Sequence, residues 1–128
     1  MPRGFISRVF RHDPITLLPG VSPEDFERFM QNELMPFFSD RYGGPTRSSV
    51  ADLKGQSFLK VARTSRKYLW VTIWDGTEDS ARGASFENTR MIRMTATEAI
   101  LKKLDALGKR GPEKIFREFA AVKVPTNK

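Results

Sequence analysis

The chain holds one histidine and two tryptophans, and these bound the chemistry open to it. His12 is its only side chain with an unperturbed pKa near neutrality, so it is the candidate for proton transfer at ordinary pH. Trp70 and Trp74 lie in Arg66-Lys67-Tyr68-Leu69-Trp70-Val71-Thr72-Ile73-Trp74-Asp75. Strand side chains alternate with period two, so Tyr68, Trp70, Thr72 and Trp74 share one face and Leu69, Val71 and Ile73 the other. Tyr68, Trp70 and Trp74, with Phe58 from the preceding apolar run, are the candidate ligand-binding residues.

Other chemistries are poorly served. The absence of cysteine excludes disulfides, thiolate metal sites and a cysteine nucleophile. A single histidine rules out a multi-histidine metal site within one chain. Ser7 and Ser57 stand in strand-like runs, no Gly-x-Ser-x-Gly elbow occurs, and only His12 could serve them as base. Most carboxylates fall in helix first turns, where the helix dipole accounts for them. No cofactor and no metal is expected.

The elements that must position these residues alternate along the chain. Phe5-Ile6-Ser7-Arg8-Val9-Phe10-Arg11 and Ile15-Thr16-Leu17-Leu18 form a first strand region, interrupted at Asp13-Pro14 because proline cannot donate to a ladder. Pro19-Gly20 turns the chain. Ser22 suits an N-cap, Pro23 the first helical position and Asp25 the positive helix end, with Val21 and Phe26 able to staple. Phe26, Phe29, Met30, Leu34 and Phe37 recur at helical spacing as a core stripe. The Met35-Pro36 pair disfavours continuation of that helix. Residues 39–52, with Gly43-Gly44-Pro45, read as a loop; Arg41 and Arg47 could flank an anion there, although no P-loop motif is present.

Gln56–Arg63 is a second strand, and Thr64-Ser65 turns it into the tryptophan strand as a hairpin. Asp75-Gly76-Thr77 then caps a helical region that is broken around residues 88–95. Thr95 and Glu98 suggest a capping box for a helix with an Ile100, Leu101, Leu104, Leu107 stripe and Gly108 as C-cap. Residues 115–124 are expected to start helical and finish as a strand. The order β-α-β-β-α-β is the ferredoxin-like plan: an α+β domain spanning residues 1–128, with a four-stranded antiparallel sheet and helices on one face.

The 128 residues suit one domain, and 39% hydrophobic with 29% charged content is ordinary for a soluble chain. No apolar run approaches the roughly 20 residues needed to span a bilayer. The Arg-rich start (Arg3, Arg8, Arg11) alternates like a strand and soon meets Pro14, so no targeting segment is read there and the cytoplasm is the expected location. The net charge of +7 is uneven. Residues 22–40 hold Glu24, Asp25, Glu27, Glu33 and Asp40 against Arg28, whereas residues 41–75 carry seven basic side chains and two acidic, and residues 101–128 eight and three. Such asymmetry can orient self-association or hold an anion, or it is simply solvated surface.

The plan leaves one sheet face bare. If helices cover Leu69, Val71 and Ile73, the face of Tyr68, Trp70 and Trp74 is too large an apolar patch for a free monomer. A partner copy, a ligand or a nucleic acid must then cover it.

In Leu17-Leu18-Pro19-Gly20-Val21-Ser22-Pro23-Glu24-Asp25-Phe26, in the Gly55–Arg63 to Tyr68–Asp75 hairpin, and in Gly76-Thr77-Glu78-Asp79-Ser80-Ala81 after it, the chain resembles the dimeric α+β barrel superfamily, in particular its antibiotic-biosynthesis-monooxygenase-like branch. The resemblance implies a homodimer joined through the open sheet faces, with a ligand cavity between sheet and helices. It also implies a small apolar or aromatic ligand. In the catalytic members it implies cofactor-independent oxygenation of a phenolic or quinol substrate, for which His12 would be the base and Trp70 or Trp74 a wall. The haem-degrading members resemble this chain only at Trp74. Their first-strand asparagine and second-helix histidine have no counterpart, since the asparagines are Asn32, Asn88 and Asn127. A non-catalytic oligomerisation or ligand-sensing module is the alternative. RNA binding is a further one: the element order is that of RNA-recognition domains, and Arg63, Arg66 and Lys67 could meet phosphate, but no RNP-like run occurs. An acylphosphatase-like reading fails, because Pro19-Gly20-Val21-Ser22 stands where its Gly-rich turn and arginine belong.

Overall fold

The computed structural model describes residues 8–42, 52–63, 66–75, 94–122 and 124–125. Strand β1 is Arg8–Leu17, followed by α1 (Pro23–Phe29), a π-helical turn (Met30–Leu34) and α2 (Met35–Tyr42). Strands β2 (Asp52–Lys60) and β3 (Lys67–Asp75) come next, then α3 (Met94–Leu107), β4 (Gly108–Arg110) and β5 (Lys114–Arg117). These strands form one five-stranded antiparallel sheet in the order β2-β3-β1-β4, with β5 also paired to β1. The fold is therefore α+β, with an open sheet and helices against one of its faces.

Local chemistry explains the start of α1. The Ser22 hydroxyl accepts the Asp25 amide at 3.1 Å, and Pro23 occupies the first turn, where an amide would have no partner. Gly20, at φ +87°, makes the preceding turn in a region that L side chains avoid. The expected halt at Pro36 does not occur. The π-helical turn bonds the Met35 amide to the Met30 carbonyl, and the extra residue in that turn lets the helix run on through Pro36 to Tyr42.

β1 passes straight through Asp13-Pro14 rather than stopping there. The Pro14 carbonyl accepts the Gly111 amide at 2.8 Å, so the proline nitrogen faces that same edge, at the break between β4 and β5. A residue with no N–H is tolerated where the neighbouring strand is interrupted. This is also why the sheet has five strands instead of four: Gly111-Pro112-Glu113 splits the last one. Gly108 is not a left-handed C-cap; it opens β4, where a Cβ would stand 2.6 Å from Ile15 Cγ2. Nor does the C-terminal run begin as a helix. It is strand at Lys114–Arg117, and residues 118–122 and 124–125 lie outside helix and strand.

The largest departure concerns the two faces of β3. Tyr68, Trp70, Thr72 and Trp74 are buried on the helix-covered side, while Leu69, Val71, Ile73 and Asp75 point the other way. Register carries this across the sheet. Val9, Arg11, Asp13 and Ile15 of β1 lie opposite Trp74, Thr72, Trp70 and Tyr68, and Phe10, His12 and Pro14 lie opposite Ile73, Val71 and Leu69. Helix residues Phe26, Phe29, Met30, Leu34, Phe38, Leu101 and Leu104 complete the core. Burying the larger rings removes the greater apolar area from water, and their ring N–H and O–H groups find partners inside.

The loop expected over 39–52 is helix through Tyr42 and strand from Asp52. Its residues 43–51 lie outside the described residues, as do the expected Phe5–Ser7 strand start, the Thr64-Ser65 turn, the helical region from Gly76 and the Thr95 side chain of the capping box. Among the described residues no helix is long and apolar enough to cross a membrane.

Candidate functional site

The four aromatic residues expected to bind a ligand form a packed layer. Trp70 and Trp74 are 1% and 0% exposed. Trp70 meets Phe38 edge-on at 4.9 Å, and its Nε1 donates to Gln56 Oε1 at 2.9 Å. Gln56 in turn donates to the Met35 carbonyl at 2.7 Å and the Ser39 hydroxyl at 2.9 Å, tying β2 to α2. Trp74 Nε1 donates to Thr72 Oγ1 at 2.8 Å. Tyr68 stacks on Phe58 at 5.0 Å, and its hydroxyl donates to Glu27 Oε2 at 2.7 Å. That bond holds the Glu27 carboxyl below its ordinary range, partly opposed by burial and helped by Lys60 at 3.4 Å. Burial first, then the neighbouring carboxylate, push the Tyr68 phenol well above its ordinary value. Rings buried in this way cannot stack on bases, so the premise of the RNA reading, an open aromatic face, does not hold.

A cavity lies elsewhere among the described residues. A cleft of about 520 Å³ opens beside β4 and is lined by Arg11, Asp13, Leu18, Asp105, Gly108, Lys109, Arg110, Gly111 and Glu113. Its floor is an ion pair on the helix-covered face of β1. Arg11 Nε meets Asp13 Oδ2 at 2.8 Å and Arg11 Nη2 meets Asp13 Oδ1 at 3.1 Å, with the two residues 1% and 2% exposed. Their i, i+2 spacing on a strand puts them on one face, where the two parallel bonds of a guanidinium fork can form. Glu113 Oε1 approaches Arg11 Nη2 at 3.7 Å, and Arg110 reaches Asp105 through bonds of 3.1 and 3.3 Å. Three cationic and three carboxylate side chains line the cleft, so it carries no net formal charge. Such a lining suits a polar small molecule offering both donors and acceptors, and favours neither a bare anion nor a bare cation. Among the described residues no cluster of three or more histidine or carboxylate side chains could hold a metal ion.

His12 belongs to neither place. It stands on the uncovered sheet face opposite Val71 and Lys114, with its ring 4.6 Å from that of Phe116. Around it half-buried Phe10, Leu69 and Ile73, with the buried Val71 between them, make an apolar sheet face against which no described helix packs. The structure thus brings Phe58, Tyr68, Trp70 and Trp74 together, and separates His12 from them by the thickness of the sheet. Arg11 and Asp13 were missed in the sequence as paired residues. The available signal was their shared parity with Val9, Ile15 and Leu17, which places both charges on a buried face.

Comparison with protein families, with curated proteins and with solved structures finds no match.

Proposed function

We propose that this chain is a ferredoxin-like domain that self-associates through its uncovered sheet face, as a dimeric α+β barrel, and binds a small molecule in each protomer. One observation carries the proposal: half-buried Phe10, Leu69 and Ile73 and exposed Phe116 surround the buried Val71 on one apolar sheet face, against which no described helix packs. A water-soluble monomer rarely leaves such a surface bare, and two sheets packed about 10 Å apart would bury it. The strand order β2-β3-β1-β4 supports the ferredoxin-like reading, since β-α-β-β-α-β connectivity yields it when the fourth strand is split in two. For the ligand, the cleft's volume of about 520 Å³ falls within the range of small-molecule sites, and its charge-balanced lining supports a polar occupant. The test is the mass in solution by light scattering at low and high salt. A dimer insensitive to salt is the expected result, and a monomer would overturn the proposal.

One observation favours a catalytic form of this reading, a cofactor-independent oxygenase acting on a phenolic or quinol ring. His12 lies within the apolar face, so a second sheet laid over it would shut the imidazole away from water. This form places the phenol at the seam between the two sheets rather than in the cleft, with the His12 imidazole as the acceptor of its proton. Oxygen uptake with a panel of quinols, lost on His12→Ala with the dimer intact, would support it. No uptake with the unaltered protein would leave the non-catalytic binding module.

A further inference from the structure

His12 is the chain's only histidine, and the fold sets it in the middle of the apolar sheet face. It lies halfway along β1, the inner strand between β3 on one side and β4 and β5 on the other. Its near surroundings are apolar: Phe10 and Pro14 on the same side of β1, Val71 across the β3 ladder, and the Phe116 ring at 4.6 Å. We propose that His12 is a pH switch for self-association, its neutral imidazole permitting two copies to meet and its protonated form holding them apart. The proposal rests on the self-association argued above and adds its regulation.

The charges around His12 favour that response. Its charged neighbour across a ladder is Lys114 of β5, a cation, which repels an imidazolium. Asp13 and Glu113, close in sequence and across the strands, line the cleft on the other side of the sheet. The remaining charged side chains on the His12 face stand at the strand ends. Arg8, Asp75 and Glu118 lie at one end, with Lys54 3.9 Å from Asp75. Lys67 and Lys109, both opposite Thr16, lie at the other. Arg8 and Thr16 are each about 13 Å from His12 along β1, beyond the Debye length of about 8 Å at physiological salt. Among the described residues no carboxylate on this face is near enough to pair with a protonated His12.

Separate and assembled chains differ in how they hold a proton there. In one protomer the imidazole is half-buried, so water still reaches it and hydrates the charge. A second sheet packed about 10 Å away removes that water from both copies at once. The charged form is then opposed by desolvation as well as by Lys114. Imidazoles ordinarily gain their proton at about pH 6.5. The sign follows: association is full above that value and weakens as pH falls through it, because the separate chains bind protons that the dimer excludes. A twofold dimer holds His12 from each copy, so both penalties act on one equilibrium. Carboxylates titrate at about pH 4, which leaves the range from about pH 8 to about pH 5.5 to the imidazole and the terminal amine.

Sedimentation equilibrium of the whole chain at a series of pH values reads the dimer dissociation constant. Between about pH 8 and about pH 5.5 that of the parent should rise about tenfold or more. His12→Gln and His12→Phe keep the terminal amine but carry no imidazole. Their constants should change by less than about twofold over the same range, with near-ultraviolet circular dichroism retained throughout. A parent dimer whose affinity stays flat, or variants that weaken as much as the parent, overturns the switch and leaves self-association standing. A parent that is monomeric at every pH removes both.

Discussion

Replacing Asp13 by alanine should be among the most damaging single changes outside the apolar core. Arg11 is 1% exposed and is held by Asp13 through bonds of 2.8 and 3.1 Å. Removing one member of such a pair strands a buried charge, which costs about 3–5 kcal/mol. Glu113, 3.7 Å from the guanidinium and less buried, recovers part of the lost attraction, so the lower end, about 3 kcal/mol, is expected. Replacing both residues at once with apolar ones, Arg11→Met with Asp13→Leu, removes the desolvated charges together. It should come within about 1 kcal/mol of the parent or exceed it. Urea unfolding reads the difference: with a slope of about 1–3 kcal/mol per molar, the single variant's midpoint falls by about 1–3 M while the double variant's barely moves. A single-variant cost below about 1 kcal/mol, or a double variant no better than the single, would refute the view that the cleft floor is a desolvated pair.

Three further outcomes follow from the packing. Trp70→Ala should cost about 3–5 kcal/mol in urea unfolding, as a core deletion, rather than merely dissociating a dimer. Gly108→Ala should cost about 1–3 kcal/mol in thermal or urea unfolding, because its Cβ would meet Ile15 Cγ2 at 2.6 Å with the Thr16 carbonyl at 3.3 Å behind it. Glu27 is held below its ordinary pKa chiefly by the Tyr68 hydroxyl, so its contribution is present above that ordinary value and is lost as pH falls through the folded one. Tyr68→Phe should therefore narrow the difference between the urea midpoints at neutral and acid pH.

The local chemistry of this fold was plain in the sequence. Ser22-Pro23 with Asp25 signals its helix start through residues whose capping bonds are short-range, and the β2–β3 pairing is signalled by two apolar runs separated by a turn. The period of β3 was equally visible, but not which side the helices would take. That choice depends on docking against Phe26, Phe38 and Tyr42, contacts distant in sequence, and the rings went inside where Gln56 and Thr72 meet their N–H groups. Pro36 misled because a π-helical turn several residues earlier absorbs its effect. Gly108 misled because a glycine needed for space and one needed for backbone conformation look alike in sequence. The cleft was hidden for a related reason: Arg11 and Asp13 are adjacent partners only once the strand runs unbroken through Pro14, which the gap between β4 and β5 permits.

The uncovered face is tested most directly by the solution mass of the unaltered chain beside that of Ile73→Asp, which places a charge in the centre of that face opposite Phe10. Light scattering should give twice the chain mass for the parent at both low and high salt, and the single-chain mass for the variant, with its near-ultraviolet circular dichroism retained. A monomeric parent, or a variant that stays dimeric, would contradict the assignment of this face as the surface on which two copies meet.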